Sequence, residues 1–317
     1  MLKLFSDIKK SFTEDNLTKL FIIITIIAVI YSMNNNSQRE YFQNTNSGSY
    51  SSSNDDNIFN TEYIKLYDNV IMDTDKDSKS IDYIMQKTNI SDQGMVVNIG
   101  CKTGWINNYL KQNYGVNSIG LDRSSYMIDT CRNKHSDIDF NVFNIDTLDT
   151  ININHNQPIT HIICLNMEIY HIDNLEYFFT QCYKLLERNG YLILNLVDHK
   201  KYNNTSVYSR INHFNPNDLS IKKVNDSVIK FNDIVYNTRY RVFPNDFGND
   251  TVWFTETIKN LNDNSIHENI HNFNAISNKE IENIAYRNNF KLVNIIDIQF
   301  DLGLSHYNNE YLYIFKK

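Results

Sequence analysis

The sequence predicts an α/β fold: a doubly wound, mostly parallel seven-stranded sheet carrying an antiparallel insertion and a C-terminal hairpin. Three observations predict it. From residue 95 onward short apolar runs alternate with helix-periodic stretches, as parallel strands joined by crossover helices must. Gly115 and Asn189-Gly190 fall between these runs, where the chain has to turn. Two strand-like runs, KLVNIIDI and EYLYIFK, close the chain as a hairpin.

The elements follow in order. MVVNIG (residues 95–100) is apolar on both faces, as a central strand is. Residues 105–114 form a helix that places Trp105, Ile106, Tyr109 and Leu110 on one face. VNSIGLD (116–122) is the second strand, 124–134 a helix, and 140–144 the third strand. HIICLNM (161–167), a helix over 175–186 and YLILNLVD (191–198) complete the five β/α units. The alternation of TVWFTETI (251–258) makes residues 202–274 an antiparallel insertion. Ser277 with Glu280 is a capping box that opens a helix reaching about residue 289. The charged run DTDKDSKS (73–80) reads as a solvated loop.

Ahead of this domain, assigned to residues 58–317, lie three segments. Residues 20–33 (LFIIITIIAVIYSM) are uncharged and apolar, flanked by Lys3, Lys9, Lys10 and Lys19, and read as a single-pass transmembrane or signal-anchor segment. A cleaved signal and a buried helix are the other readings of a run this short. Residues 1–19 are a flank of cytoplasmic type, and residues 34–57, rich in Ser, Asn and Gly, are a flexible linker. The lysines put the N-terminus in the cytoplasm, whereas four cysteines without a disulfide or metal spacing suit a reducing compartment; the side of the domain stays open.

A formal net charge of -7 and the absence of any Lys/Arg run argue against a nucleic-acid partner. The hydrophobic fraction of 41%, with 21 Tyr and 18 Phe, supports an aromatic-rich core and excludes disorder throughout. Nothing in the sequence fixes the oligomeric state.

The chemistry gathers where strands end. The first strand runs into Asn98-Ile99-Gly100-Cys101-Lys102-Thr103-Gly104, where glycines let a ligand lie against bare backbone. The second ends on Asp122-Arg123, a carboxylate suited to ribose hydroxyls. The third ends on Asn144-Ile145-Asp146, and the fourth on Asn166-Met167, followed by Glu168-Ile169-Tyr170-His171. This order resembles the class I S-adenosylmethionine-dependent methyltransferases, whose Rossmann-like domain opens with Asp/Glu-x-Gly-x-Gly-x-Gly. The resemblance covers residues 93–198 and, more loosely, 275–317.

The resemblance implies S-adenosylmethionine as cofactor. Asn98, Gly100, Cys101 and Gly104 would border its methionine portion, Asp122 and Arg123 its ribose, Ile145 and Asp146 its adenine, and Asn166 its transferable methyl. Two positions depart from the pattern: Asn98 stands in place of the acid and Lys102 in place of the middle glycine. His171 is the candidate base for the acceptor. Tyr63 and Tyr67 precede the first strand, where the family places aromatic residues over the cofactor; core packing is their other reading.

The function expected is methyl transfer to a small-molecule or protein acceptor, at a membrane through the N-terminal segment. A catalytically degenerate domain serving as a membrane-bound scaffold is the alternative that Asn98 and Lys102 raise. His267-Glu268-Asn269-Ile270-His271 spells the zinc-peptidase motif, but flanks without helical periodicity argue against it, and no metal is expected.

Overall fold

The computed structural model describes residues 50–54, 61–90, 94–143, 157–198, 201, 225–243, 250–305 and 307–317. The expected anchor at residues 20–33 lies outside them, and among the described residues no helix is long and apolar enough to cross a membrane. The chain forms two compact units, residues 51–259 with 267–317, and residues 1–50 with 260–266. What is described of the second unit is chiefly a turn: Asn260 donates its backbone N–H to Ser265 O at 2.9 Å, and Asp263 Oδ1 accepts from Ser265 N at 2.8 Å.

The large unit is built on β2 (Met95–Ile99), β3 (Asn117–Asp122), β4 (Asp139–Val142), β5 (Ile159–Cys164), β6 (Tyr191–Val197), β11 (Lys291–Asp297) and β12 (Glu310–Lys316). Their order is β11-β12-β6-β5-β2-β3-β4. β2 through β6 run parallel, and β12 lies antiparallel between β6 and β11. The expected hairpin is therefore present, its strands joined by a short helix at Ile298–Asp301. Because β3 and β4 build out on one side of β2 and β5 and β6 on the other, the strand order reverses between β2 and β5. Open α/β sheets bind ligands in the crevice at such a reversal.

Strand alternation divides the core between the two faces of the sheet. Val97, Ile99, Ile162 and Leu194 point to a cluster with Phe178 and Phe179 of α5 (Leu175–Leu185) and Ile281 and Ile284 of α6 (Asn278–Arg287). Val96, Ile163 and Ile193 point the other way, to Ile81 and Ile84 of α2 (Thr74–Thr88) and Ile106 and Leu110 of α3 (Trp105–Tyr114). Helix α4 (Ser125–Lys134) connects β3 to β4. Phe178 and Phe179 are fully buried; burying one such ring contributes about 1.5–3 kcal/mol.

Two expectations are corrected. Residues 73–80 are no solvated loop: Asp73 caps α2, its carboxylate accepting from Lys76 N at 2.9 Å, and Asp75 and Asp77 follow in the first turn, where the helix dipole favours acids. Lys76 and Asp77 are buried there, Lys76 ion-paired to the fully buried Glu310. The second correction concerns the expected linker, in which Tyr50–Asn54 is a strand, β1. It forms the edge of a second sheet, ordered β1-β10-β9-β8-β7, with β7 (Asn225–Phe231), β8 (Ile234–Phe243), β9 (Asp250–Asn260) and β10 (Ile266–Ala275). β7 and β8 pair antiparallel through a turn at Asn232, whose φ of 50° suits a tight hairpin.

Two short helical pieces complete the unit. Helix α1 (Thr61–Leu66) continues into a π-helical turn at Tyr67–Ile71, and α7 (Ile298–Asp301) bridges β11 and β12. Tyr63 and Tyr67 pack beside Ile64 and Met127.

Candidate functional site

At the strand-order reversal, the backbone leaves β2 through three left-handed residues: Gly100 (φ +72°), Lys102 (φ +53°) and Gly104 (φ +82°). The turn is tied to β3, with Gly100 N and Cys101 N donating to Leu121 O at 2.8 and 3.0 Å. It is also close-packed, since a Cβ added at Gly100 would lie 2.5 Å from Glu168 Cγ, and one at Gly104 2.9 Å from Phe140 Cζ. Glycine at both positions is thus required by conformation and by space.

Asp122 ends β3 facing this turn. Its Oδ2 accepts from Lys102 N and its Oδ1 from Ser124 N, each at 2.9 Å. Ser124 in turn caps α4 through Met127 N. Burial raises the Asp122 pKa despite Lys102, and Glu168 adds to the rise. Lys102 reaches across the turn to an ion pair with Glu168, the first residue of a 3-10 turn spanning Glu168–His171. Burial opposes the charge of Glu168, but Lys102 and then His171 outweigh it and hold the carboxyl below its usual range.

Asn98, buried, donates to Asn107 Oδ1 at 2.7 Å, and Asn107 passes a bond to Ser118 Oγ at 3.0 Å. Cys101 lies under the turn with Cys131, which donates to Lys102 O at 3.0 Å. Arg123 is partly exposed, and its charge bears on both Lys102 and Glu168. Asn166, left-handed at φ 52°, donates to Asp77 Oδ1 at 3.2 Å. Ile145 and Asp146 lie outside the described residues.

His171 is depressed to a pKa of about 3, burial being the largest cause, with Glu168 opposing and Lys102 and His271 assisting. It is therefore a neutral imidazole throughout the physiological range. Its ring meets His271 edge-on, the centroids 5.8 Å apart and the planes at 60°.

The turn after α1 closes over this arrangement. Thr103 Oγ1 donates to Asp68 Oδ1 at 2.7 Å. The buried Tyr67 phenol is raised well above its usual pKa, by burial first and then by Asp77, Asp122, Glu168 and Asp68. Four carboxylates thus share this end of the molecule with Lys102 and Arg123.

Sequence reading gave no role to Asp77, Glu168 or Glu256. Glu256 carried a signal: it falls on the inward phase of Val252, Phe254, Glu256 and Ile258 in β9, where an apolar residue belongs. His267, Glu268 and His271 lie on β10. On a strand the two histidines share a face and Glu268 takes the other, so the one-sided helical geometry of the peptidase motif is not met. Among the described residues, no three His, Cys, Asp or Glu side chains are grouped to hold a metal ion.

Comparison with known proteins bears on this geometry. Residues 96–190, from β2 to the turn before β6, match the family described as a methyltransferase domain. No curated protein matches the sequence. An S-adenosylmethionine-dependent methyltransferase of Clostridium acetobutylicum superposes with a TM-score of 0.58 at 15% identity, covering 80% of this chain and 97% of its own. The CcbJ methyltransferase of Streptomyces caelestis does so at 0.58 and 14%, covering 80% and 94%. An amino pentose methyltransferase of Micromonospora echinaspora, solved with S-adenosylmethionine, gives 0.56 at 10%, covering 81% and 97%. Such identities establish the fold.

The donors present suit S-adenosylmethionine. Asp122 offers the remaining lone pairs of a carboxylate to hydroxyl donors. Lys102 and Glu168 offer a cation and an anion side by side, as a zwitterionic amino-acid group requires.

Proposed function

We propose that this chain, a methyltransferase with S-adenosylmethionine as its cofactor, methylates an amino group of a small molecule, His171 receiving the proton that the nitrogen loses. The observation that carries the reading is a convergence at one end of the sheet: the left-handed turn after β2, Asp122 after β3, and Asn166 and His171 after β5. In that arrangement Asp122 would hold the ribose, with Arg123 beside it. Gly100, Cys101 and Gly104 would border the methionine portion, Ile145 and Asp146 the adenine, and Asn166 the methyl end. Asn98 would act from behind the turn, through Asn107.

When bound, the cofactor supplies a methyl group already activated on a sulfonium, so orientation and exclusion of water are what remain for the protein. An amine is favoured as acceptor because Asp68, Asp77, Asp122 and Glu168 crowd this end of the molecule and would attract an ammonium group. A protonated amine cannot attack, and His171, on the turn after β5, is the ring proposed to take its proton. The amino pentose methyltransferase that shares the fold acts on a substrate of this class. The apolar run at residues 20–33 would hold the enzyme at a membrane, which fractionation of the full chain with and without that run tests.

Titration calorimetry of the full chain with S-adenosylmethionine, followed by transfer of labelled methyl to matched amine, hydroxyl and carboxylate compounds, tests the function. Binding weakened at least tenfold by Asp122→Ala, about 1.4 kcal/mol, and label on amines alone are expected. Binding indifferent to that substitution, or label on hydroxyls and not on amines, would overturn the reading. A scaffold that binds without turnover would leave every acceptor unlabelled.

A further inference from the structure

The first turn of α2 delivers two buried charged residues to the C-terminal edge of the parallel sheet. Lys76 pairs with Glu310 at the start of β12, its ammonium 4.9 Å from the centre of the Tyr307 ring. Asp77, 3% exposed, reaches instead to the end of β5, where its Oδ1 accepts from Asn166 Nδ2 at 3.2 Å. Burial outweighs both Lys76 and that bond, so the fold holds this carboxylate against its own stability. An apolar residue in its place is often neutral or stabilising. What Asp77 does is fix Asn166.

Asn166 and Met167 leave β5 in consecutive left-handed conformations, φ +52° and +61°, a strained exit for two residues that carry side chains. Side chains from two separate elements clamp it. The fully buried Asn195 of β6 accepts from Met167 N at 3.1 Å and donates to Tyr311 O at 3.3 Å. Asp77 of α2 holds the Asn166 carboxamide. A carboxamide has a donor end and an acceptor end, and an ionised carboxylate can only accept. With Nδ2 on Asp77, the half-buried Asn166 side chain cannot flip, and its Oδ1 keeps one direction. Among the described residues that oxygen accepts no hydrogen bond.

We propose that Asp77 is a positioning residue, aiming the Asn166 carboxamide oxygen at an N–H of the acceptor amine. The inference rests on the reading of Asn166 as the residue at the methyl end. An amine that donates one N–H to Asn166 Oδ1 has its lone pair fixed in direction, toward the methyl carbon. As the nitrogen–carbon bond forms, the carbon–sulfur bond breaks and its electron pair stays on sulfur. The N–H held by Asn166 stays on nitrogen, and neither Asn166 nor Asp77 moves a proton. Primary and secondary amines have such an N–H and tertiary amines do not, so methylation ends at the dimethylamine. The charged and titratable groups around Asp77 are Lys76 on its own helix, Glu310 of β12 and Tyr67 of the π-helical turn.

Two measurements on the full chain test the clamp. Nitrogen-15 NMR of labelled asparagines, with neither cofactor nor acceptor present, reads the Asn166 side-chain amide, identified by its loss in Asn166→Ala. Its protons are expected downfield of exposed asparagines, to move to the exposed position in Asp77→Ala, and to stay near the parent position in Asp77→Asn, which keeps an oxygen. An exposed-type signal in the parent overturns the proposal whether or not any amine is methylated. With glucosamine as probe and labelled S-adenosylmethionine, Asp77→Ala is expected to lower kcat about 10–100-fold and leave the cofactor KM within about twofold, while Asp77→Asn stays within about threefold of the parent. Asp77→Ala removes a charge that burial disfavours, so the variant should stay folded, as urea unfolding checks. A residue acting only through Asn166 loses nothing further once Asn166 is gone, so Asp77→Ala/Asn166→Ala should match Asn166→Ala alone. Additive losses, or a trimethylated product from the parent, would overturn the proposal. Failure of the amine reading shows up separately, as no transfer to glucosamine by the parent protein.

Discussion

Lys102 is the residue at which this sequence departs most from the glycine-rich turn it resembles, and the structure states the cost and the return. A left-handed non-glycine residue costs about 1–2 kcal/mol, and Lys102 adopts φ +53°. In exchange it neutralises Glu168, which the fold otherwise buries. Breaking such a pair from one side costs about 3–5 kcal/mol when burial is complete, so Lys102→Gly is expected to lose about 1–3 kcal/mol at pH 7 despite the relief of strain. Without Lys102, burial raises the Glu168 pKa, and the deficit shrinks as the pH falls and the carboxyl protonates. Urea unfolding of parent and variant at pH 7 and pH 5 checks this; a deficit that stays constant contradicts it. Asp77 supplies a second test. Burial lifts its pKa from 3.8 to about 6, against the opposing pull of Lys76 and Asn166. The folded protein therefore binds more protons than the unfolded chain between those values, and stability falls as the pH rises through them. Asp77→Asn, which keeps an oxygen for Asn166, should gain about 2.4 kcal/mol relative to the parent between pH 4 and pH 7, as denaturation at both pH values would reveal.

Elements were legible where their own residues carried the pattern. β2, β3, β5 and β6 are buried on both faces, so each reads as an apolar run whatever its partners, and the glycine turn and Asp122 were legible because the whole motif is local. α2 was misread because its N-terminal turn is DTDKD, and charge there marks a helix start as readily as a loop. β1 was misread because YSSSN has no apolar alternation; it is a strand through its place beside β10, which no local signal announces. Glu168 and Glu256 were missed for a like reason, their meaning lying in Lys102 and His271, 66 and 15 residues away. The capping of α2 is testable at this scale. Asp73→Ala removes the acceptor for Lys76 N and for Tyr307 OH and should cost about 1–2 kcal/mol, seen as a lower denaturation midpoint with the slope unchanged.

At the scale of the molecule, the site is assembled from parts that do not touch along the chain. The turn after β2 and the carboxylate of β3 come from the parallel sheet, Thr103 is bonded by Asp68 ahead of that sheet, and His171 is backed by His271 and Glu256 of the insertion. A ligand bound at their meeting point stabilises all of these parts at once, and anything that binds only the folded state adds RT ln(1 + [L]/Kd) to its stability. S-adenosylmethionine at a hundred times its Kd should therefore add about 2.7 kcal/mol, raising Tm by about 5–10 °C for a domain of this size. Asp122→Ala should remove most of that rise at the same cofactor concentration, whereas Asp73→Ala, away from the turn, should lower the starting Tm and keep the rise. Thermal scans of the three proteins with and without cofactor decide it: an equal rise in all three would place the cofactor somewhere other than the crevice between β2 and β5.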